Sequence, residues 1–84
     1  MEWYVIITHT AEKRLRKIPN PDRRRLLAAI GKLQDGLIGD IKPLKGRDEW
    51  RLRVGEWRVI LSIDAVNRII RVTHVDVRGD VYKD

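Results

Sequence analysis

The sequence contains no cysteine and only two histidines, His9 and His74, which are far apart in the chain. Without thiols, neither a disulfide framework nor a thiolate metal site can form, and this composition fits a reducing cytoplasm. Two histidines outside any ligand-spaced cluster argue against metal catalysis, and His74 fits a structural strand position better than the position of a base. We therefore expect a protein with no metal and no cofactor.

Long apolar stretches are missing as well. No run approaches the roughly 18 residues that a membrane helix needs, and the beginning of the chain lacks the layout of a signal peptide. We therefore expect a soluble cytoplasmic protein with no membrane contact. The 84 residues provide for one small core and not for two, so we expect a single domain over residues 1–84.

Glycine-rich phosphate loops, nucleophile elbows and paired carboxylates are also absent from the sequence. What the chain has in excess is positive charge, with 18 Lys and Arg against 12 Asp and Glu and a net charge of +6. The arginines outnumber the lysines, and their planar guanidinium groups match phosphate oxygens and stack on bases. This balance favours a nucleic acid or an acidic protein as partner. The alternatives are a charged surface coat and a heat-adapted source.

Residues 50–64 show the strongest local pattern. Trp50, Leu52 and Val54 alternate with arginines, Gly55-Glu56 follows as a two-residue turn, and the alternation resumes from Trp57. This pattern predicts a β-hairpin. In such a hairpin Val54 lies opposite Trp57, Arg53 lies opposite Arg58, and Arg51 shares their side. Because two facing arginines repel each other, we expect an anion to bind between them, and phosphate is the best candidate.

The flanking segments predict two helices and two further strands. Residues 2–8 read as a strand, and Thr8 or Thr10 caps a helix that ends before Pro19-Asn20-Pro21. Asn20 is the predicted cap of the second helix. The buried positions that we expect in this helix are Leu26, Leu27, Ile30, Leu33 and Leu37. Its arginine triplet, residues 23–25, fits a solvated face better than a nucleic-acid contact.

Gly36 and Gly39 end the second helix and begin a linker that leads to the hairpin at Trp50, and the last strand covers residues 69–77. A two-residue turn at Val66-Asn67 places Arg71 opposite Ser62, on the arginine face. The expected order is β-α-α-β-β-β. This is an α+β fold in which two helices pack on one face of a mostly antiparallel four-stranded sheet. The other face is left open and carries the arginines.

Arginines and a tyrosine are the groups that remain for chemistry, and they suit metal-free RNA cleavage. The 2′-hydroxyl of the RNA itself attacks the neighbouring phosphorus, so the protein has to align the backbone, move protons and neutralise charge. Arg51, Arg53, Arg58 and Arg78 are the candidate cations. Tyr82 either stacks on a base and joins proton transfer, or anchors the tail on the sheet.

Three segments together resemble the RelE/ParE superfamily of toxins from type II toxin–antitoxin modules. They are Leu44-Lys-Gly46, the hairpin string from Trp50 to Ile60, and Val75-Asp-Val-Arg-Gly-Asp-Val-Tyr82. The expected element order matches that superfamily too. The string of alternating basic and apolar residues followed by aromatic-Arg-Val, together with the terminal Arg-x-x-x-Tyr, favours its RelE branch.

The resemblance to the RelE branch implies a RelE-like fold, an mRNA in the ribosomal A site as substrate and a RelB-like antitoxin as partner. The implied reaction leaves a 2′,3′-cyclic phosphate and a 5′-hydroxyl. The catalytic residues carried over by position are Arg51, Arg53, Arg58, Arg78 and Tyr82. The predicted RNA-binding residues are Lys45, Arg47 and Arg71.

Two departures from this family pattern bear on phosphate binding and proton transfer. Asp76 and Val77 occupy positions where many relatives carry a histidine or another basic residue, and arginines replace lysines at 51 and 53. An acid at 76 is expected to weaken phosphate binding, and arginine is a worse proton donor or acceptor than lysine at neutral pH. Two alternatives therefore stay open, namely a ParE-type toxin that poisons gyrase and a catalytically silent relative that binds an antitoxin.

Overall fold

A computed structural model describes residues 3–46 and 48–77. The elements in chain order are β1 (Tyr4–Ile7), α1 (His9–Arg16), α2 (Asp22–Gly31), a 3₁₀ turn (Lys32–Asp35), β2 (Asp40–Pro43), β3 (Trp50–Val54), β4 (Trp57–Asp64) and β5 (Ile69–Val77). Within these described ranges, no helix is long and apolar enough to cross a membrane.

The strands form one five-stranded mixed sheet in the order β1-β5-β4-β3-β2. β1 pairs in parallel with β5, whereas the other three pairs are antiparallel. The α+β class with two helices is confirmed. The predicted four-stranded sheet is wrong by one strand, because β2 lies in the segment that we expected to be a linker. β2 is four residues long and ends at Pro43, which only an edge strand tolerates well.

Local sequence explains most of the helix boundaries. The hydroxyl of Thr8 accepts a hydrogen bond from the Ala11 N–H at 3.3 Å and so caps α1 as predicted. The predicted cap of α2 is wrong, since Pro21 occupies the capping position and no side chain supplies a cap. α2 also ends earlier than expected. Leu37 lies beyond its last turn, and Leu27 lies beside the buried stripe, so both are exposed.

The hydrophobic core lies between the helices and one face of the sheet. Its helical members are Ala11, Leu15, Ile18, Leu26 and Ile30, joined by Leu33 of the 3₁₀ turn. Alternate residues of the strands complete it, among them Leu52, Val59, Leu61, Ile70 and Val72. The two-residue period of the strands therefore sends their remaining side chains to the face away from the helices, which we call the distal face.

The predicted hairpin register is confirmed. Arg53 pairs with Arg58 and Val54 with Trp57, and Ser62 pairs with Arg71 on β5. One irregularity interrupts the pairing of β4 and β5 between Ile60 and Leu61.

This irregularity is a β-bulge at Thr73. Leu61 pairs with Val72 and Ile60 with His74, so Thr73 has no partner across the ladder. The Thr73 hydroxyl donates a hydrogen bond to the carbonyl oxygen of Ile60 at 3.2 Å. Because the bulge inserts one residue, it shifts the alternation of β5 and places His74 and Asp76 on the distal face.

Candidate nucleic-acid interface

The distal face is ordered in cross-strand rows. One row runs across β2 to β5 as Asp40, Arg53, Arg58 and Asp76. The next row along the strands contains Lys42, Arg51, Ile60 and His74. Three of the predicted catalytic arginines, at positions 51, 53 and 58, therefore lie within two neighbouring rows.

Asp40 bonds to two of these arginines. Arg53 Nε donates to Asp40 Oδ2 at 2.9 Å, and Arg51 Nη1 donates to Asp40 Oδ1 at 3.3 Å and to the Asp40 carbonyl oxygen at 3.2 Å. The hydrogen bond from Arg53, assisted by Arg51, holds the pKa of Asp40 below its ordinary value. Sequence reasoning missed Asp40, because its position depends on the register of the short β2.

Arg51 and Arg58 are buried, with 5% and 7% of their surfaces exposed. Ile60, which lies opposite Arg51, is also buried. The prediction of an uncovered arginine face is therefore wrong for its centre. For Arg51 the reason is geometric, because its guanidinium folds back onto the backbone and carboxylate of β2. Arg53 is only partly buried, so it presents its charge to solvent.

Asp76 lies opposite Arg58, where an acid could weaken phosphate binding as expected. Its carboxylate, however, has a partner on helix α1. Arg14 of α1 reaches the carboxylate of Asp76 at 2.8 Å, and the same oxygen accepts the Val77 N–H at 2.9 Å. The ion pair with Arg14 reduces the field of this acid at the arginines, and the predicted weakening of phosphate binding stays a prediction.

Arg14 also belongs to a contact that fixes the hairpin. Its guanidinium lies 5.7 Å from the ring centre of Trp57, and the Trp57 indole N–H donates to Asp22 of α2 at 3.0 Å. Asp22 in turn pairs with Arg25 at 2.8 Å. Trp57 immediately precedes Arg58, so these contacts to both helices position the strand that carries Arg58. The sequence contains no local signal for them.

The other end of the distal face is exposed. Arg71 lies between Ser62 of β4 and Ile6 of β1, and its surface is open to solvent. Its charge helps to lower the pKa of Asp64, although the hydrogen bonds from Asn67 are the larger cause. Tyr4 of β1, on the same face, is 73% exposed. Sequence reasoning identified Arg71 and missed Tyr4, which has the aromatic and β-branched neighbours of an ordinary strand.

The remaining predicted site residues lie elsewhere. Lys45 is exposed in the turn between β2 and β3, outside the arginine rows. The three predicted residues Arg47, Arg78 and Tyr82 lie outside the described residues. His74 lies in the same row as Arg51, and its Nδ1 is 3.2 Å from the Thr73 hydroxyl.

The chemistry that this arrangement supports is anion binding. Guanidinium groups fixed in place before a substrate arrives stabilise negative charge without further reorganisation, which is the requirement for a phosphorane-like transition state. Among residues 3–46 and 48–77, no group of three or more His, Asp or Glu side chains is placed to hold a metal ion.

Solved structures show the same architecture. The archaeal RelE–RelB complex from Pyrococcus horikoshii matches with a TM-score of 0.83 and 27% identity, over 96% of this chain and 100% of that chain. The RelB–RelE complex from Methanococcus jannaschii matches with a TM-score of 0.71 and 28% identity, over 92% and 94%. The isolated RelE toxin of E. coli shares the fold, with a TM-score of 0.71 and 21% identity over 95% and 90%.

A comparison with curated proteins finds no match. A family model, described as the ParE toxin of the type II toxin–antitoxin system parDE, matches residues 5–82. This match covers nearly the whole chain, from the second residue of β1 through both helices and strands β2 to β5. The expected superfamily is confirmed, and the chain belongs to the ParE toxin family of type II toxin–antitoxin systems within the RelE/ParE fold.

Proposed function

We propose that this toxin is a ribosome-dependent, metal-free endoribonuclease that cuts mRNA in the A site. The observation that carries the proposal is the pair Arg53 and Arg58, which face each other across β3 and β4. Facing arginines repel each other, so a phosphate bound beside both of them would be stabilising. Asp40 and Asp76 stand at the two ends of this row, and Asp76 is already compensated by Arg14.

In the proposed reaction the 2′-oxygen of one nucleotide forms a bond to the adjacent phosphorus while the bond from phosphorus to the 5′-oxygen breaks. A base takes the proton of the 2′-hydroxyl, and the leaving 5′-oxygen receives a proton. The products are a 2′,3′-cyclic phosphate and a 5′-hydroxyl, and the reaction needs no oxidant and no metal.

The arginines divide this work in the proposal. Arg53 bonds to Asp40 through Nε and is only partly buried, so its terminal nitrogens remain to bind phosphate oxygen. Arg58 neutralises the charge that develops on the phosphorane, and Arg51 holds the backbone. Arg78 and Tyr82 keep their predicted roles, as a second phosphate contact and as the group that stacks on or activates the nucleotide.

An acidic antitoxin is the proposed protein partner. The toxins from P. horikoshii and M. jannaschii that share this fold were solved as complexes with RelB antitoxins. The net charge of +6 favours an acidic partner of that kind.

The test is expression of the chain with and without a RelB-like antitoxin, followed by primer extension across cellular messages. We expect cuts at A-site codons that disappear when the antitoxin is present. Arg53→Ala and Arg58→Ala should abolish the cuts. Arg24→Ala, an exposed residue of α2, removes the same charge far from the distal face and should leave them unchanged. Undiminished cutting by both distal-face variants would contradict the site.

A second candidate function is poisoning of DNA gyrase, which the match to the ParE family model favours. The carboxylate of Asp40, which is shared by Arg51 and Arg53, also reduces the charge available to RNA. DNA breaks and an SOS response with intact messages would select this alternative. Antitoxin binding with neither cut messages nor broken DNA would identify a silent relative.

A further inference from the structure

Tyr4 is an aromatic side chain with nothing packed over most of its surface. Trp3, Trp50 and Trp57 all pack against the hydrophobic core, whereas Tyr4 is 73% exposed. Among residues 3–46 and 48–77, it is therefore the one aromatic side chain that is presented to solvent. Its neighbour Ile6 on the same face of β1 is 42% exposed, so the ring stands on a small apolar patch.

A cation lies beside this ring. Tyr4 pairs with Ile69 and Ile6 with Arg71 in the parallel ladder, so Arg71 is two residues further along β5 on the same face. Arg71 is exposed, and none of the hydrogen bonds or ion pairs among residues 3–46 and 48–77 involves its guanidinium. An exposed aromatic ring beside an arginine is the combination with which proteins bind single-stranded nucleic acid, by stacking on a base and neutralising its phosphate.

The patch at Tyr4 lies within reach of the row that contains Arg53 and Arg58. Arg58 and Ser62 are four residues apart on β4, or about 13 Å, and Ser62 pairs with Arg71. That distance spans a few nucleotides of an extended strand. An RNA whose phosphate lies at Arg53 and Arg58 can therefore pass Arg71 and bring a base to Tyr4 without leaving the distal face.

We propose that Tyr4 is a base-stacking subsite for single-stranded RNA, a few nucleotides from the bond that is cut, with Arg71 binding the phosphate between them. This inference rests on the proposed function and extends it to a binding residue on β1. RNA suits the patch better than an added protein strand does, because the exposed charge of Arg71 lies on the same face as the ring, two residues along the ladder from the partner of Tyr4.

The experiment is a binding series with the full-length chain, purified away from its antitoxin. The probe is a short single-stranded RNA that is blocked against cleavage by 2′-O-methyl groups, and fluorescence anisotropy gives Kd. We expect Tyr4→Ala to weaken binding about 10-fold, within the range for loss of one stacked base. Tyr4→Phe and Tyr4→Trp keep a ring and should bind as the wild type does. Val66→Ala, an exposed apolar residue in the turn before β5, is the matched control.

A set of RNAs, each with one abasic nucleotide, makes the test specific. In the wild type, one abasic position should cost as much affinity as Tyr4→Ala does. In Tyr4→Ala, the same abasic position should cause no further loss of affinity, because the stacking contact needs both the ring and the base. Equal losses in both proteins at every position would overturn the subsite, even if Tyr4→Ala weakened binding.

Two outcomes separate this inference from the proposed function. If Arg53→Ala and Arg71→Ala weaken binding while Tyr4→Ala does not, the subsite is wrong and RNA binding stands. If the wild type binds this RNA no better than Arg53→Ala does, the proposed function fails and the subsite with it. Loss of antitoxin binding in Tyr4→Ala with unchanged RNA affinity would assign the patch to a protein partner and overturn the proposal.

Discussion

The centre and the β1 side of the distal face carry similar charges in opposite environments. In the centre, Arg51 and Arg58 are buried and Asp40 bonds to Arg51 and Arg53. On the β1 side, Arg71 and Tyr4 are exposed. Fixed, partly compensated guanidinium groups suit the stabilisation of a transition state, whereas an exposed cation suits capture of a strand from solution. Within one sheet face, burial therefore separates the residues that we propose for chemistry from those that we propose for binding.

The two edge strands explain this difference. β2 contributes an acid, Asp40, directly opposite Arg53, and it contributes the carbonyl oxygen that Arg51 bonds to. β1 contributes Tyr4 and Ile6 at the corresponding edge and no acidic side chain. Arg71 therefore faces no acid on the edge strand beside it and is influenced through space by Asp64 of β4, while Arg51 and Arg53 are hydrogen-bonded to the acid of β2.

The largest expected effect separates the buried centre from the exposed β1 side of the distal face, and it compares the stability of Arg51→Ala with that of Arg71→Ala. Removal of the buried Arg51 side chain leaves a void and takes one partner from Asp40, so we expect a loss of about 2–3 kcal/mol in the free energy of unfolding. Arg71→Ala changes an exposed side chain and should alter this free energy by less than about 0.5 kcal/mol. Urea denaturation monitored by tryptophan fluorescence measures both. Equal losses would remove the distinction between the two regions.

A smaller effect is expected from the pair of Arg14 and Asp76. If Arg14 keeps the carboxylate of Asp76 away from Arg58, then Arg14→Ala should weaken RNA binding more than Arg16→Ala, which removes the same charge from an exposed position on α1. A cross-strand charge contact is worth up to about 1 kcal/mol, so the extra loss should reach at most about 5-fold.

The double variant Arg14→Ala with Asp76→Asn controls for net charge. This double variant should regain the extra RNA affinity that Arg14→Ala lost. Asp76→Asn added to Arg16→Ala should raise RNA affinity only by the effect of removing one negative charge. Identical behaviour of the two double variants would show that only net charge matters and that Arg14 has no special role.

The smallest expected effect is a pH dependence at Asp40. Its pKa lies below the ordinary value of 3.8 in the folded state, so its contribution to stability is complete above that pH. The contribution is lost as the pH falls through the folded pKa. The stability difference between wild type and Asp40→Asn should therefore shrink in acid.

Arg53→Ala is the control for this pH dependence, because the hydrogen bond from Arg53 is the largest cause of the lowered pKa. In that background the acid dependence should shrink. Thermal unfolding between neutral pH and pH values below about 4 measures both variants. A difference that persists unchanged in acid would show that Asp40 acts through shape and not through charge.

The hairpin and its arginine pair could be predicted from the sequence, because a two-residue period and a glycine turn fix the register of residues 50–64 locally. The same reasoning reached the pair of Ser62 and Arg71 across the next turn. These are the parts of the site in which neighbours in the chain are also neighbours in the sheet.

The parts that could not be predicted depend on distant contacts. β2 is too short to show a period, and the bulge at Thr73 has no distinguishing sequence. The pairing of Arg14 with Asp76 joins residues 62 positions apart, and no local pattern encodes it. The burial of Arg51 likewise follows from packing against β2, whereas charge alone had suggested exposure.

The parallel pairing of β1 with β5 has a consequence for how the toxin is made. β1 is synthesised early, and its hydrogen-bonding partner is β5, the last strand among residues 3–46 and 48–77. Tyr4 pairs with Ile69, and Ile7 pairs with Val72. Contacts of such long sequence separation form late, after a costly loop closure. The distal face therefore cannot be complete before β5 has been synthesised, so the earlier part of the chain does not carry the proposed RNA site by itself.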